Sequence, residues 1–136
     1  MDKKKKFLTA EDILQAADIP TEAVHVPEWG GWVMVKGLNG EERDEFEASV
    51  VDQRGKKVKV RLRNLRARLV AMCVVNPEDG SRLFTDDRIR DLGQKSAAAL
   101  DRVFKVAQRL SGLSDDDVSE LIEDFDDGQN GDSTSD

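Results

Sequence analysis

Two residues of this 136-residue sequence could take part in catalysis or metal binding. They are Cys73, its only cysteine, and His25, its only histidine. Cys73 follows Met72 on the apolar stripe of a predicted helix, whereas a reactive thiolate needs an electropositive and partly exposed site. Because free cysteine is among the most buried residue types, we interpret Cys73 as a core residue. His25 lies alone in a predicted strand and cannot by itself supply a metal cluster. Neither residue predicts catalysis, and the sequence suggests no cofactor.

The acidic C-terminal end raises the question of calcium binding. An EF-hand loop needs oxygen ligands at positions 1, 3 and 5, glycine at position 6 and glutamate at position 12. A loop starting at Asp126 has Gly128 at position 3 and too few residues to reach position 12, and one starting at Asp124 has Gln129 at position 6. The Gly30–Gly31 pair is no phosphate loop either, because a predicted strand follows it and no Gly-Lys-Ser/Thr occurs. We therefore predict no metal site and no enzyme.

A basic stretch over Arg54–Arg68 holds eight lysines and arginines and no acidic residue. The candidate electrostatic stripe within it consists of Lys59, Arg61, Arg63, Arg66 and Arg68. Such a stripe can bind phosphates, so a small nucleic-acid-binding or regulatory protein is the alternative function. We favour the interpretation that these residues border an amphipathic helix, because no nucleic-acid motif accompanies them and the acidic end would compete for the stripe. Nucleic acid is therefore disfavoured as a partner.

Candidate contacts with a protein partner come from large apolar side chains. Aromatic residues are enriched both in small cores and at interfaces, so a tryptophan packed on the helices is at least as good an interpretation as an exposed anchor. The candidate set is Trp29, Trp32, Leu100, Phe104, Leu121, Ile122 and Phe125. The last three lie on a predicted acidic amphipathic helix. That pattern is typical of a helix in a partner's groove, and equally of one docked on its own core.

Charge is distributed unevenly along the chain. The net charge of −7 combines −10 over residues 110–136 with +3 over the preceding 109 residues. We expect a disordered basic arm over residues 1–7, a compact domain over 8–113, an acidic amphipathic helix over 114–125 and a disordered acidic tail over 126–136. A single cysteine fits a reducing compartment. No uncharged apolar run approaches the roughly 20 residues of a membrane helix, so we expect a soluble intracellular protein with no membrane partner.

The elements that position these residues are predicted to form a single, mostly helical α+β domain. Thr9 predicts the N-cap of a helix over Ala10–Ala17. An N-terminal β-hairpin, over about residues 23–36, follows from β-branched and aromatic residues in Ala23–Val26 and Trp32–Lys36, on either side of a glycine turn.

Two further helices are predicted in the middle of the chain. Asn39 predicts the N-cap of the first, whose apolar side is formed by Phe46, Val50 and Val51. The second follows from helical spacing of Leu62, Leu65, Leu69, Met72 and Cys73. A second short hairpin is expected near residues 74–84, with Val74–Val75 and Arg82–Phe84 as its strands.

The C-terminal half is predicted to be helical. A short helix over Asp86–Leu92 should end with Gly93 in the left-handed conformation. The longest helix is predicted over Gln94–Leu110 and should be closed by Gly112. Ser114, with an aspartate three residues later, predicts the start of the final helix.

Six parts of the sequence form an ordered set. They are LTAEDIL at 8–14, TE at 21–22 before VPEWGG at 26–31, GLNGEERDEFEAS at 37–49, RARLVA at 66–71, RLFTDD at 82–87 and LGQKSAAALDR at 92–102. Taken together they resemble the siphovirus-type tail assembly chaperones of long-tailed bacteriophages and prophages. The resemblance covers about residues 8–113, and its weight comes from the order of the segments.

The resemblance implies a function without catalysis and without active-site residues. Proteins of this kind bind the aggregation-prone tape measure protein in the cytoplasm of the bacterial host and keep it soluble until tail-tube subunits polymerise around it. They are then absent from the mature virion. The implied partners are the tape measure protein and, secondarily, the tail-tube protein, and the chain could also assemble with itself. A longer form made by ribosomal frameshifting is a further property of many such genes.

Overall fold

The computed structural model describes residues 5–52, 59–60 and 64–119. Its elements are α1 (Ala10–Gln15), β1 (Thr21–Val26), β2 (Gly31–Lys36), α2 (Gly40–Ser49), β3 (Val51–Asp52), β4 (Lys59–Val60), α3 (Leu65–Cys73), β5 (Val74–Val75), α4 (Ile89–Leu92) and α5 (Ala97–Leu110). There are 3-10 turns at Pro27–Trp29 and Asp86–Arg88, and residues 115–119 are helical. Helices predominate over a small antiparallel sheet, which confirms the predicted α+β class.

The main sheet has the strand order β1-β2-β5, and both pairings are antiparallel. Val24 pairs with Val33 and Met34 pairs with Val75, so the predicted N-terminal hairpin is confirmed. Gly30, which has a φ of 75°, ends the 3-10 turn between the two strands and supplies the left-handed residue that the turn needs. A separate two-stranded pair joins β3 to β4.

The core lies where α3 and α5 pack against each other and against the inner face of the sheet. Leu69 of α3 and Val103 of α5 are fully buried, as is Val35 of β2. Ala71 and Ala107 are also fully buried, and their small side chains allow close packing of the two helices. The predicted stripe of the long helix is therefore a core-facing stripe.

The end of β2 is tied to the end of α5. The backbone N–H of Leu38 donates to Ser111 Oγ at 2.9 Å, and the N–H of Gly37 donates to the carbonyl of Pro20 at 2.9 Å. A Cβ added at Gly37 would lie 2.9 Å from the carbonyl carbon of Leu110 and closer still to its oxygen. Gly37 is thus required by the close approach of two backbone segments rather than by its own dihedral angles.

Helix capping agrees with the sequence. Thr9 and Asp12 form a reciprocal capping box at α1, and the hydrogen bonds from Thr9 lower the pKa of the Asp12 carboxyl. Asn39 caps α2 in the same way, since the N–H of Glu42 donates to Asn39 Oδ1 at 2.7 Å. Ser114 also begins the helix over residues 115–119, where its Oγ accepts a hydrogen bond from the N–H of Asp117 at 3.0 Å.

Several predicted boundaries are wrong. The N-terminal helix ends at Gln15 rather than Ala17, and Val51 belongs to β3 rather than to the preceding helix. The long helix begins at Ala97 instead of Gln94, because Ser96 acts as its N-cap and Ser96 Oγ accepts the N–H of Ala99 at 3.2 Å. Gly112 closes that helix as predicted, with a φ of 72°.

Gly93 does not adopt the predicted left-handed conformation. Its φ is −64° and its ψ is −13°, in the right-handed region. The reason for glycine here is space, since a Cβ at Gly93 would collide with Oδ1 of Asn64. Asn64 itself has a φ of 64°, a conformation that asparagine tolerates better than most residues.

The expected second hairpin is short: Val75 forms a single bridge with Arg82, and the N–H of Leu83 donates to the carbonyl of Val74 at 3.1 Å. The Nε of Arg82 donates to the carbonyl of Ala71 at 3.2 Å and its Nη2 to Asp86 at 3.0 Å. The helix predicted over Asp86–Leu92 begins as a 3-10 turn, because the Thr85 hydroxyl bonds the side chain of Asp87 and does not cap a backbone N–H.

Candidate partner-binding surface

The N-terminal segment, residues 5–20, is exposed along its whole length. It includes α1, which buries none of its residues. Phe7 is 86% exposed and Leu14 83%, and Leu8 and Ile13 are each more than half exposed. A six-residue helix is far too short to be stable in water on its own, and here it gains little from the rest of the chain. This arrangement is typical of a segment that contacts another molecule.

Sequence reasoning missed the N-terminal segment as a binding surface. The signal was present as adjacent apolar pairs, with Phe7–Leu8 just before the N-cap of α1 and Ile13–Leu14 within that helix. Periodicity identifies apolar side chains but does not say whether their partner lies in the same chain.

The two tryptophans have different environments. Trp32 is 68% exposed and lies on the outer face of the hairpin, where its ring is tilted against His25 with centroids 4.9 Å apart. Trp29 is half-buried and packs against the core, and with Phe84 and Leu92 it lines a surface cavity of about 490 Å³. One tryptophan thus packs inward and the other is exposed.

An ion pair fixes the loop that carries Trp29. Arg102 of α5 binds both carboxylate oxygens of Glu28, with Nη2 at 3.1 Å from Oε2. The pair holds the pKa of the Glu28 carboxyl below its usual range and raises the pKa of the Arg102 guanidinium. The 3-10 turn is thereby tied to α5.

Leu100 and Phe104 lie on the core-facing side of α5, where only 6% and 7% of each residue is exposed. The guanidinium of Arg66 lies over the Phe104 ring, 5.6 Å from its centroid, and Arg66 Nε is 3.3 Å from an oxygen of Asp101. Leu100 and Phe104 are therefore packed in the core of the protein itself.

The remaining candidates are only partly within the described chain. Arg66 and Arg68 lie on α3, whereas the side chain of Lys59, together with Arg61 and Arg63, falls outside the described residues. Leu121, Ile122 and Phe125 also fall outside them. Just before that point, Val118 packs partly against the core, and the Nε2 of Gln108 donates to Asp115 at 2.8 Å. The start of the acidic helix therefore contacts the body.

Cys73 is fully buried at the end of α3, which confirms its interpretation as a core residue. Its Sγ lies 3.9 Å from Ser111 Oγ, and burial raises the pKa of the thiol to about 12. His25 is exposed on its strand. Across residues 5–52, 59–60 and 64–119, no group of three or more histidine, cysteine or acidic side chains is placed to hold a metal ion.

The Cys73 thiol should resist alkylation while the chain is folded. Relative to a thiol at the reference pKa of 9.0, one at about 12 has a thiolate fraction at pH 8 that is lower by about a thousandfold, before steric protection is counted. We expect iodoacetamide to label Cys73 slowly in buffer and rapidly in urea. Mass spectrometry of timed samples measures both rates, and equal rates would contradict the burial of this side chain.

Comparison with known protein families gives a match over most of the chain. A family model described as phage tail assembly chaperone matches residues 12–127. No curated protein and no solved structure matches the chain. In the part of the chain that the structure describes, no helix combines the length and the apolar character needed to cross a membrane.

Proposed function

The chain belongs to the phage tail assembly chaperone family, and on that premise we propose that it binds the tape measure protein and keeps it soluble during tail assembly. The family's role is in assembly rather than in catalysis. We further propose that the chain acts in the cytoplasm of the bacterial host, that the tail-tube protein is its second partner, and that it is absent from the mature virion.

The exposed N-terminal segment carries this proposal. A chaperone that prevents aggregation must present apolar side chains to its client while its own core stays closed. Phe7, Leu8, Ile13 and Leu14 satisfy the first requirement, and the fully buried side chains of α3 and α5 satisfy the second. The segment also adjoins the hairpin that carries Trp32, another exposed aromatic side chain.

We place the principal client contact on the N-terminal segment and Trp32. Trp29, Leu100 and Phe104 contribute to the body that supports this surface. The acidic helix with Leu121, Ile122 and Phe125 is proposed as a secondary contact, whose acidic residues also keep the complex soluble.

Co-expression tests the proposed function. We expect the cognate tape measure protein to be mostly insoluble alone and to become mostly soluble when this chain is made with it. Deleting residues 114–136 should weaken the effect, because the deletion removes a secondary contact and ten of the 28 acidic residues. Gel densitometry of soluble and pelleted fractions measures the outcome, with an unrelated acidic protein of similar size as the control. A tape measure protein that is equally soluble without the chain would contradict the proposal.

A further inference from the structure

The outer strand of the sheet has a free edge. β1 stands at the end of the strand order, and it pairs with β2 on one side only. The N–H of Gly37 donates to the carbonyl of Pro20, so these two residues form a hydrogen-bonded pair of the antiparallel strands. Hydrogen-bonded pairs recur at every second residue, so Glu22, Val24 and Val26 also form such pairs with β2.

The residues between those pairs direct their backbone N–H and C=O groups away from β2. Thr21, Ala23 and His25 occupy the non-hydrogen-bonded pairs, so their N–H and C=O groups face outward from the sheet. Within the described ranges, none of these groups has a hydrogen-bond partner in the protein. Three outward-facing residues on a six-residue strand make a template for one more strand.

The opposite edge of the sheet is covered. Val75 of β5 forms a bridge with Arg82, and the N–H of Leu83 donates to the carbonyl of Val74 at 3.1 Å. Within its six residues β1 contains no lysine, proline or bulge; its one acidic side chain, Glu22, bonds Arg109 of α5, and Pro20 and Pro27 flank the strand. Residues 82 and 83 thus bond the outer side of β5, whereas β1 pairs with β2 alone, so an added strand is expected at β1.

We propose that the free edge of β1 binds an extended segment of the tape measure protein as an added strand, an inference that rests on the proposed function. The edge is continuous with the N-terminal segment, which ends at Pro20, so one client chain can contact both. Recognition through backbone hydrogen bonds tolerates many sequences. That suits a long client whose chain is held before it folds.

The surroundings of the edge define the chemistry of the added segment. On the outer face of the hairpin, Thr21 and Ala23 expose uncharged side chains and His25 contacts Trp32, while Lys36 lies opposite Thr21 at one end of the strand pair. Ala23, at the middle of the edge, leaves room beside it for a large side chain on the added strand, within reach of the aromatic pair. The segment is therefore extended, and apolar or aromatic at the position opposite Ala23.

Hydrogen exchange tests the proposal directly. In the free chain, the amides of Thr21, Ala23 and His25 should exchange rapidly, and those of Glu22, Val24 and Val26 should be protected by β2. In the purified complex with the co-expressed tape measure protein, we expect exchange at the first three to slow by at least about tenfold, so that protection becomes continuous along β1. Residue-resolved exchange with fragmentation in the mass spectrometer provides the measurement.

A matched pair of variants tests the backbone contact itself. Ala23→Pro removes one outward N–H without removing a bond to β2, whereas Ala23→Val keeps that N–H and suits a strand. We expect Ala23→Pro to lower the amount of client that co-purifies by about tenfold and Ala23→Val to leave it within about twofold. Ala23→Lys, which keeps the backbone intact and places a charge on the edge, should act in the same direction as Ala23→Pro.

The outcomes separate this inference from the proposed function. A complex in which Thr21, Ala23 and His25 exchange as fast as in the free chain overturns the strand addition and leaves client binding in place. Protection that appears in the free chain and rises with its concentration assigns the edge to a second copy, and it also overturns the inference. If the wild-type chain forms no complex with the tape measure protein, both proposals fail.

Discussion

Replacing Phe7, Leu8, Ile13 and Leu14 together with serine should abolish most of the solubilisation of the tape measure protein. Full burial of an apolar side chain of this size is worth about 1.5–3 kcal/mol, and the costs of association offset part of that, so for four side chains we expect at least a tenfold fall in soluble client. The fold should be almost unaffected, because all four side chains are exposed and none belongs to the core. Co-expression yields and the Tm of the purified variant measure the two effects.

The matched control lies in the same segment. Serine at Lys5, Lys6, Gln15 and Asp18 changes as many exposed positions but removes no apolar surface, so the client yield should stay within about twofold of the wild-type value. A quadruple apolar variant that still solubilises the client would place the principal contact elsewhere, with Trp32 and the acidic helix as the next positions to test.

Gly37→Ala should destabilise the folded chain, and by more than Gly31→Ala. The added Cβ would lie 2.9 Å from the carbonyl carbon of Leu110 and nearer still to its oxygen. Both neighbouring segments are held, one by the bond of Gly37 to Pro20 and the other by the bond between Leu38 and Ser111, so relief requires moving α5 relative to β2. Overpacking of this kind costs about 1–3 kcal/mol, and we expect at least that loss in the free energy of unfolding.

Gly31→Ala is the natural comparison, because a Cβ at Gly31 meets no atom within 4 Å. Urea unfolding followed by circular dichroism should show a change of less than about 0.5 kcal/mol for Gly31→Ala and a clear fall in midpoint for Gly37→Ala. Equal midpoints for the two variants would show that the contact between Gly37 and Leu110 relaxes without cost.

Local signals accounted for most of the elements. The hairpin was predictable because its strands flank a glycine turn, and the caps at Thr9, Asn39 and Ser114 were predictable because each acts within three residues. The errors have both local and non-local causes. The long helix begins later than predicted because Ser96 caps it locally, whereas a Cβ at Gly93 would meet the side chain of Asn64, far away in sequence.

The candidate site was harder to predict than the fold. The stripe with Leu100 and Phe104 has the spacing expected of a binding face, but the same spacing describes a helix packed on its own core, which is its place in the structure. The N-terminal segment posed the opposite problem, since residues from 8 onward were assigned to the compact domain and the structure leaves those up to 20 exposed. A sequence pattern shows that a side chain needs a partner, and only the tertiary structure shows whether the chain provides one.

The packing of α5 on β1 sets the order of events during synthesis on the ribosome. Val24 and Val26 are made early, but α5, which covers the sheet and whose Arg109 reaches Glu22 at 2.7 Å, is made roughly 80 residues later. At about 5–20 residues per second this leaves the nascent hairpin uncovered for roughly 4–16 s. Among the described residues, the last buried apolar side chain is Leu113, and the partly buried Val118 is the last one that packs against the core. A peptide joined to the chain after Val118 would thus emerge behind a body that already has all of these parts.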